Sequence, residues 1–438
     1  MAMVVKNNMQ AKNTLNQLNK NQKALSKDLK KVSSGLKIND ASDDASGLSI
    51  AEKMDVRLRS LEQDNQNVQN GNSMLKVAEG AMASTVDILK TMKEKVINAA
   101  NDTNSDADRA IIQKEIDQAI DQIDENANVM YNGKLMLDGS HNDLVKSPGI
   151  YTHLTNKSFA DGTNRYTELI NLTAETGDNL GILPGDTITV SYVKNGETHV
   201  GSITVQEDTM FYEMFDWKPC KDDLGIANYP DKAQIGIDQF GNKVYTPDHK
   251  EAITYVAKEA GLNGQVAGLT VSVTDRQGNI RKSTNAVIDN FNETIRAQNA
   301  SPDNAMVLQS GTKANEAIKV GFSDMRSVAL GLKTPEGKTL NISTQVNANA
   351  AINVVDTALQ KVLDLQTKIG SVQSRLDYTS SNITVAAENT QSSMSVVRDA
   401  DMAKEMTAYT KDNVLLQASQ SMLAQANQNS SSVLSLLQ

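Results

Sequence analysis

The sequence predicts a mainly α-helical fold in which a long coiled-coil-like bundle of helices from both termini carries an inserted α+β outer domain with β-hairpins. All seven prolines lie between Pro148 and Pro335, and both flanks carry apolar residues in alternating steps of three and four. That spacing places apolar side chains on one helix face, and proline disrupts helix interiors. The middle holds all six Phe, all four His and the single Trp, in short runs that alternate between apolar and polar residues. Such alternation indicates β-hairpins.

Residues 1–41 are predicted to form a first helical arm. Gly35 interrupts the apolar stripe of this arm and marks the end of its helix. Residues 1–37 contain eight Lys against a single acidic residue, Asp28, so the arm is basic. The stripe residues, which we expect to act in self-assembly, are Leu15, Leu18, Leu25, Leu29, Val32 and Leu36.

Residues 42–139 are predicted to form the N-terminal part of a helical rod. Ser42-Asp43-Asp44 can cap a helix that runs from Leu48 to Ala99. At about 1.5 Å per residue this helix is roughly 75 Å long. Its apolar residues from Met54 to Val96 are spaced by multiples of a 3.5-residue period, the pattern of left-handed supercoiled packing. A third helix follows and ends at the turn signal Tyr131-Asn132-Gly133.

Residues 140–305 are predicted to form the inserted surface domain. Thr187–Val205 alternates between apolar and polar residues on both sides of a Lys-Asn-Gly turn, which predicts a β-hairpin. A second hairpin is predicted at Leu269–Thr284. A short helix is predicted at Lys250–Ala260, with Asp248 as its N-cap.

The helical period returns after about Leu340 and continues to the last residue. Residues 306–397 are predicted to complete the rod, and residues 398–438 to form a second arm. The last 26 residues, 413–438, carry no charge, so we expect this amphipathic end to need a partner surface. The residues of this arm that we expect to act in self-assembly are Met402, Met406, Leu416, Leu423, Leu434 and Leu437.

The first arm is predicted to be only marginally stable by itself. Burying its stripe contributes roughly 10–15 kcal/mol. Ordering its backbone costs on the order of 1–2 kcal/mol per residue, over roughly 36 residues. Short isolated helices are marginal in water for the same reason. We therefore expect the termini to order when several copies pack together.

Composition and motifs argue against several functional classes. A formal net charge of −10 disfavours binding to nucleic acid, and no stretch approaches the length of an apolar membrane span. Cys220 is the single cysteine, so an intrachain disulfide is excluded. The four His share no metal-ligand spacing, and no phosphate-binding loop, dinucleotide fingerprint or nucleophile elbow occurs. We therefore expect no catalytic, cofactor or metal site.

Motifs at both ends of the chain resemble those of bacterial flagellin. At the N-terminal end these are Val32–Asn39, followed by Asp43–Gly47, and the Asn132-Gly133 turn. At the C-terminal end they are Arg398–Ala403 and Ser421–Gln428. The resemblance covers about residues 1–139 and 306–438, and its motifs occur in the family's order.

This resemblance implies the subunit of an extracellular filament. The arms would form an inner core and the rod an outer layer. In the family, the turn after the third helix runs on into a rod hairpin. Here hairpin-like sequence resumes only at Leu308–Phe322, which marks residues 140–305 as an insertion. The family is exported unfolded through a flagellum-specific type III pathway, so the implied partners are other copies, an export chaperone, and the filament cap and junction proteins.

The resemblance also implies contact with a host innate immune receptor through the long helix. The residues at the corresponding positions are Leu89, Thr91, Glu94, Lys95 and Glu115. Arg and Leu are usual in the family where this chain has Thr91 and Lys95. Thr91 lacks the bidentate guanidinium of arginine, and Lys95 lacks the apolar side chain of leucine. We expect both differences to weaken binding by the receptor.

Three alternatives remain open at the level of sequence. A hook–filament junction protein shares the terminal arms, although the match of the C-terminal segment favours a filament subunit. Some flagellins carry a metallopeptidase in their insertion, but the zinc motif is missing here. An adhesive or ligand-binding insertion is compatible with a filament role.

Overall fold

The computed structural model describes residues 8–436, apart from the side chains of residues 430 and 432–436. Two compact units share the chain. The first contains residues 1–68, 310–316 and 378–438, and the second contains residues 69–309 and 317–377.

Long helices from both flanks and a β-rich middle confirm the predicted fold class. The eight helices of the described part are α1 Met9–Ser34, α2 Ala45–Ala99, α3 Asp106–Ala127, α4 Cys220–Asp223, α5 Lys282–Ile288, α6 Ser327–Leu330, α7 Gln345–Arg398 and α8 Met402–Leu436.

Polar side chains and one glycine set the ends of the first helices. The Asn8 side chain accepts a hydrogen bond from the backbone N–H of Ala11 at 3.0 Å, which caps the start of α1. Gly35 ends α1 with φ +71°, and its N–H donates to the carbonyl of Lys31. The Asp44 carboxylate accepts from the N–H groups of Ser46 and Gly47, so the predicted cap of α2 is confirmed.

The second unit has a helical core built from one face of each long helix. On α2, the buried residues follow the predicted 3.5-residue period. Ion pairs of Lys93 with Asp356 and of Lys95 with Glu115 place α7 and α3 beside α2. The buried members are Leu75, Met82, Leu89 and Val96 on α2, Ile116, Ile120 and Ile123 on α3, and Val355, Val362 and Ile369 on α7. Seven-residue spacing on α2 and α7 is the packing pattern of a coiled coil.

The turn between α2 and α3 is fixed by Arg109, a residue that the sequence analysis did not single out. Its side chain is buried, and its Nε donates to the carbonyl of Ala99 at 2.9 Å. A second nitrogen donates to the carbonyl of Asn101 at 3.1 Å, and a third pairs with Asp106 at 3.0 Å. Arg109 therefore satisfies carbonyls that the end of α2 leaves without helical partners.

Two short hairpins flank the inserted region along the chain. The first pairs β1 Met130–Tyr131 with β2 Lys134–Leu135 across the predicted Asn-Gly turn. The second pairs β12 Met306–Gln309 with β13 Ala317–Val320, which confirms the hairpin expected at Leu308–Phe322. Phe322 continues from β13 and donates its backbone N–H to the carbonyl of His141 at 2.9 Å.

The inserted region contains three antiparallel sheets in the orders β10-β4-β5, β11-β3-β9-β6 and β7-β8. The first two share a core with a cluster of aromatic rings, in which Tyr255 stacks on Phe211, lies tilted against Phe215 and meets Phe291 edge-on. The strands are β3 His153–Asn156, β4 Thr187–Lys194, β5 Glu197–Thr204, β6 Leu224–Ile226, β7 Gln234–Ile237, β8 Lys243–Tyr245, β9 Ile253–Ala257, β10 Val266–Thr274 and β11 Asn292–Ile295.

The hairpin predicted at Thr187–Val205 is confirmed. Strands β4 and β5 pair in register from Thr187 with Thr204 to Lys194 with Glu197. Asn195 and Gly196 both have positive φ, at 51° and 66°, which is the geometry of a type I′ turn.

Two predictions for the inserted region are wrong. The segment Lys250–Ala260 contains strand β9 rather than a helix, and β9 pairs with β3 on one side and β6 on the other. The β-branched and aromatic residues of Ile253–Val256 favour that central position. The hairpin predicted at Leu269–Thr284 forms only at its turn, where Thr274 pairs with Ile280. Its second strand is wrong beyond that pair, because helix α5 begins at Lys282 and the rest of β10 pairs with β4.

Candidate assembly interface

The two terminal arms pair with each other as antiparallel helices, α1 and α8. Backbone hydrogen bonds also join the segment that follows α1 to the end of α7 and the residues just after it. The N–H of Lys37 donates to the carbonyl of Arg398 at 2.7 Å, and the N–H of Ala400 donates to the carbonyl of Gly35 at 2.9 Å. Asp401 then caps α8 by accepting from the N–H of Ala403 at 3.0 Å.

The seam between α1 and α8 is polar. The Asn21 side chain donates to the Ser419 hydroxyl at 2.8 Å and to the carbonyl of Leu415 at 3.3 Å. Among the described side chains of these two helices, only Asn21, Ser419 and Ala426 are buried. A polar residue in such a seam specifies register at a cost in stability. The pair is therefore aligned well but held weakly within one chain.

Charged groups next to this seam have opposite effects on the pairing of α1 with α8. Lys31 pairs with Glu405 at 3.3 Å, and both side chains are largely shielded. Asp28 lies in the same region. Partial burial raises the pKa of its carboxyl, and the nearby carboxylates of Asp412 and Glu405 raise it further. Asp28 in its charged form therefore destabilises the pairing of α1 with α8.

Replacing Asp28 with Asn is expected to stabilise the α1–α8 pair at pH 7. A carboxyl whose folded-state pKa is raised gives its stabilising contribution at low pH and loses it as the pH rises through that pKa. The variant should therefore slow hydrogen exchange in α1 at pH 7, while wild type and variant should be alike at pH 3. Asp208→Asn, at an exposed position of the inserted region, is the matched control. Equal slowing at both pH values would contradict the argument.

The outward faces of both helices carry large apolar side chains that the pairing leaves exposed. Of the predicted assembly residues, Leu15 is 45% exposed and Leu29 is 52% exposed, with Met402 and Met406 at 43% and 46%. The half-buried members of the set flank the seam and are Leu18, Leu25, Val32, Leu36, Leu416 and Leu423. The side chain of Leu434 and the whole of Leu437 lie outside the described residues.

Four exposed apolar residues of the same pair were missed by the sequence analysis. Val414 is 59% exposed, Leu415 41% and Met422 61% on α8, and Met9 is 60% exposed on α1. Met406, Lys411, Val414 and Leu415 are among the residues that line a shallow groove of about 530 Å³ along α8. Leu415 and Met422 are seven residues apart, so a search for a second apolar stripe on α8 could have found them.

The positions that the resemblance relates to an immune receptor divide between core and surface. Leu89 is fully buried, so it is not part of the surface proposed below. Thr91 and Glu94 are exposed on α2, and Lys95 lies on the same helix face. The Lys95 ammonium pairs with the Glu115 carboxylate of α3 at 2.6 Å.

Residues 8–436 were also searched for other kinds of site. Within that range, no three His, Cys, Asp or Glu groups are arranged to hold a metal ion. None of the described helices combines the length and apolar character needed to cross a membrane.

Comparison with known proteins assigns the family. Residues 5–142 match the bacterial flagellin N-terminal helical region, and residues 352–437 match the bacterial flagellin C-terminal helical region. A flagellin of Clostridium tyrobutyricum is 31% identical over 431 residues, which cover 97% of this chain and 99% of that protein. The chain belongs to the bacterial flagellin family. The flagellin of Bacillus subtilis strain 168 is 29% identical and covers 99% of this chain and 100% of its own length.

Solved structures of flagellar proteins are more distant from this flagellin. FliC from Burkholderia pseudomallei is 18% identical, covers 70% of this chain and 99% of its own, and has a TM-score of 0.27. The flagellar junction protein FlgL from Legionella pneumophila is 14% identical, covers 80% and 99%, and has a TM-score of 0.33. Both scores are below 0.5, so the family assignment is based on the sequence matches.

Family membership establishes the general role of the chain. As a flagellin, it is a structural subunit that polymerises with copies of itself into the flagellar filament of motile bacteria. The filament is extracellular, so that is also the location of the assembled chain. Flagellin is a structural protein family.

Proposed function

We propose that the outward faces of the α1–α8 pair are the surface through which copies of this chain join in the filament. The observation that carries the proposal is the exposure of large apolar side chains on a helix pair whose own seam is polar. Leu29 on α1 and Val414 on α8 are both more than half exposed. Exposed apolar stripes of this kind mark interaction surfaces.

The energy available to such a surface is sufficient for stable association. Burying one Leu, Val or Met side chain contributes about 1.5–3 kcal/mol. Association costs about 4–15 kcal/mol in lost translational and rotational freedom. The exposed set of Leu15, Leu29, Met406, Val414 and Met422 is therefore enough to offset that cost when several neighbours contact one subunit. Contacts between unlike faces do not close on themselves, and they produce an open helical assembly.

The same weakness of the isolated pair supports export in an unfolded state and ordering on assembly. With a polar seam and only three buried side chains described, α1 and α8 gain little from pairing alone. A chaperone that covers α8 before assembly would protect its groove, and the cap and junction proteins would offer the growing filament the same kind of helical surface. These partners belong to the proposal.

We also propose the domain layout from the sequence analysis, with residues 1–41 and 398–438 as inner core, 42–139 and 306–397 as rod, and 140–305 as surface domain. The backbones of Val145 and Ser301 exchange two hydrogen bonds of 3.0 Å. The incoming and outgoing chains of the insertion therefore lie side by side, as an inserted domain requires. We propose no catalytic role for this domain, and zinc in stoichiometric amount in the purified chain would contradict that.

Electron microscopy of the purified chain tests the proposed assembly. Above a critical concentration, and with short filament fragments as seeds, we expect long filaments. Short, self-limiting assemblies, or addition of a single layer to the seeds, would favour a junction protein instead.

A second proposal concerns weak recognition by an innate immune receptor through Thr91, Glu94, Lys95 and Glu115. The supporting observation is the ion pair of Lys95 with Glu115, which occupies a carboxylate that would otherwise be free to bind a partner's cation. Thr91 offers only a short side chain, whose hydroxyl donates to the carbonyl of Asp87. The surface thus lacks both an arginine fork and an apolar anchor.

The double substitution Thr91→Arg and Lys95→Leu is expected to raise receptor activation by about tenfold or more in a cell reporter assay. Leucine at position 95 removes the ion pair with Glu115 and adds an apolar contact residue. Arginine at position 91 adds a guanidinium that forms two parallel hydrogen bonds with a carboxylate. Lys76→Leu, at an exposed position elsewhere on α2, is the control. No gain from the double variant, in monomer of unchanged helicity, would exclude this surface.

A further inference from the structure

A small cleft in the inserted region lies apart from the assembly surface and has no role in the account above. It opens between residues 163–165, residues 226–234 and the start of β9, with a volume of about 110 Å³. Its walls carry amide, hydroxyl and phenol groups, and its charged lining residues are Arg165, Lys232 and Glu251. Small-molecule sites combine a concave wall with a few polar groups in this way.

Arg165 is held in place by aromatic rings rather than by an acid. Its guanidinium lies 5.1 Å from the centre of the Tyr166 ring and 5.7 Å from that of Tyr212. Its backbone is fixed as well, since the carbonyl of Arg165 accepts from the N–H of Tyr212 at 3.1 Å. Contacts with two ring faces offset part of the cost of removing the cation from water and restrict its motion.

The charge of Arg165 has no counterion in the part of the chain that the structure describes. No carboxylate of residues 8–436 forms an ion pair with it, and its Nε–H is buried without a hydrogen-bond acceptor. An arginine fork binds a carboxylate through two parallel hydrogen bonds. A fixed and unpaired guanidinium in a cleft is therefore prepared for an anionic ligand.

The other charges of the cleft set the charge of that ligand. Lys232 pairs with Glu251 at 3.0 Å, and the same Glu251 oxygen accepts from the N–H of Gly162. This pair is internally neutral, so the charged residues that line the cleft sum to one positive charge, with Asp231 outside the lining but close enough to act on Glu251. A carboxylate on Arg165 would be neutralised, whereas a dianion such as phosphate would leave one negative charge unpaired in the cleft at a cost in desolvation.

The remaining groups match the hydroxyl groups and the ring of a sugar. The Asn228 side chain lines the cleft and makes no hydrogen bond within the described range, so its donors and acceptor are free. Tyr229 also lines the cleft, and its hydroxyl is held by the Nε2 atom of His153 at 3.1 Å. Tyr166 follows Arg165 in the chain and is 61% exposed, so it is an apolar group at the edge of the cleft rather than in its lining.

We propose that this cleft binds a sugar acid, with the ligand's carboxylate on Arg165 and its hydroxyl groups on Asn228 and Tyr229. The filament surface would then bind uronic-acid-type glycans in addition to its role in motility. The proposal does not depend on how α1 and α8 assemble, because every residue in it belongs to the inserted region.

Titration calorimetry on the full-length chain tests the proposal, with sodium D-glucuronate as the probe and D-glucose and inorganic phosphate as comparison ligands. We expect glucuronate to bind and glucose to show no binding, since it lacks the carboxylate. Arg165→Lys keeps the charge but loses the fork, and should weaken glucuronate binding at least about tenfold. Lys243→Met, at an exposed position on β8, should bind like wild type.

Several results would overturn the proposal: no glucuronate binding to wild type, unchanged binding to Arg165→Lys, or tighter binding of phosphate than of glucuronate. If Arg165→Lys fails to fold, Asn228→Ala provides the second variant, and it should weaken binding without changing the thermal melt. NMR spectra of the wild-type chain give a readout that needs no variant. Glucuronate should shift the amide signals of residues 163–165 and 227–229, and shifts confined to other regions would refute the site.

Discussion

Replacing both Leu29 and Val414 with aspartate is expected to abolish filament formation. Leu29 is 52% exposed on α1 and Val414 is 59% exposed on α8, so neither substitution disturbs a packed core in the single chain. In the proposed assembly each site is buried against a neighbouring copy. There, each aspartate removes about 1.5–3 kcal/mol of apolar burial and places a charge where it has no partner. Since each 1.4 kcal/mol is a factor of ten, the critical concentration should rise by about a hundredfold or more.

The assay is sedimentation of the purified variant with seeds, followed by electron microscopy. The tryptophan and phenylalanine bands of the near-ultraviolet circular dichroism spectrum should be unchanged, because Trp217 and all the Phe residues belong to the second unit and both substitutions are in the first. Gln277→Glu adds a negative charge at an exposed turn of the inserted region and should polymerise normally. Normal filaments from the Leu29→Asp, Val414→Asp variant would show that these faces are not the assembly surface.

Substituting alanine for Gly268 is expected to lower the free energy of unfolding of the second unit by about 2–4 kcal/mol. Gly268 is in strand β10 with φ +65°, a conformation that other residues adopt at a cost. A Cβ atom there would lie 2.6 Å from Cγ2 of Val354 and 2.7 Å from the carbonyl oxygen of Ala350, both in α7. Val354 and Ala350 are fully buried, so α7 has no free space into which to move.

A matched substitution separates backbone conformation from close packing. Gly278 also has positive φ, at +85°, but a Cβ atom there would meet nothing within 4 Å. Gly278→Ala should therefore cost only about 1 kcal/mol, the conformational part of the effect. Urea denaturation followed by tryptophan fluorescence measures both variants, since Trp217 lies in the same unit. Equal losses would show that contact between β10 and α7 contributes nothing.

The predictions that succeeded rest on local chemistry. Asp44 and Gly35 mark helix ends because side-chain capping and positive φ are decided within a few residues. The hairpin of β4 and β5 was predicted correctly because the positive φ angles of its Asn195-Gly196 turn are also a local property. The 3.5-residue period of α2 is also local, and it identified Leu75, Met82 and Val96 as core residues before any fold was known.

The failures concern segments whose structure depends on distant partners. Asp248 resembled a helix cap, but strand β9 lies between β3 and β6, and neither neighbour can be inferred from the sequence of β9. Helix α5 forms where a strand was predicted, because side chains in and just after this helix accept hydrogen bonds from the backbone N–H groups of β10. The Asn285 side chain accepts from the N–H of Val273 at 2.7 Å, and the Asp289 side chain accepts from that of Val271 at 2.6 Å. These bonds cover the edge of β10 that a second strand would have used.

The assembly surface was only partly predictable. The stripe method selects residues that repeat on one face, so it found the seam residues Leu18 and Leu25 together with Leu15 and Leu29. It could not tell which of them face α8 within one chain and which face outward. Val414 and Met422 were missed because they lie off the main stripe of α8. A second stripe through Leu415 would have found Met422, whereas Val414 is revealed by the exposed fraction of its side chain.

The most direct test of the central claim is a cryo-electron microscopy reconstruction of filaments grown from the purified chain, at a resolution that shows side chains. We expect α1 and α8 in the inner core, with Leu29 and Val414 buried against neighbouring copies and residues 140–305 at the outer surface. A filament in which Leu29 and Val414 stay exposed to solvent, or in which copies join through residues 140–305, would contradict the account.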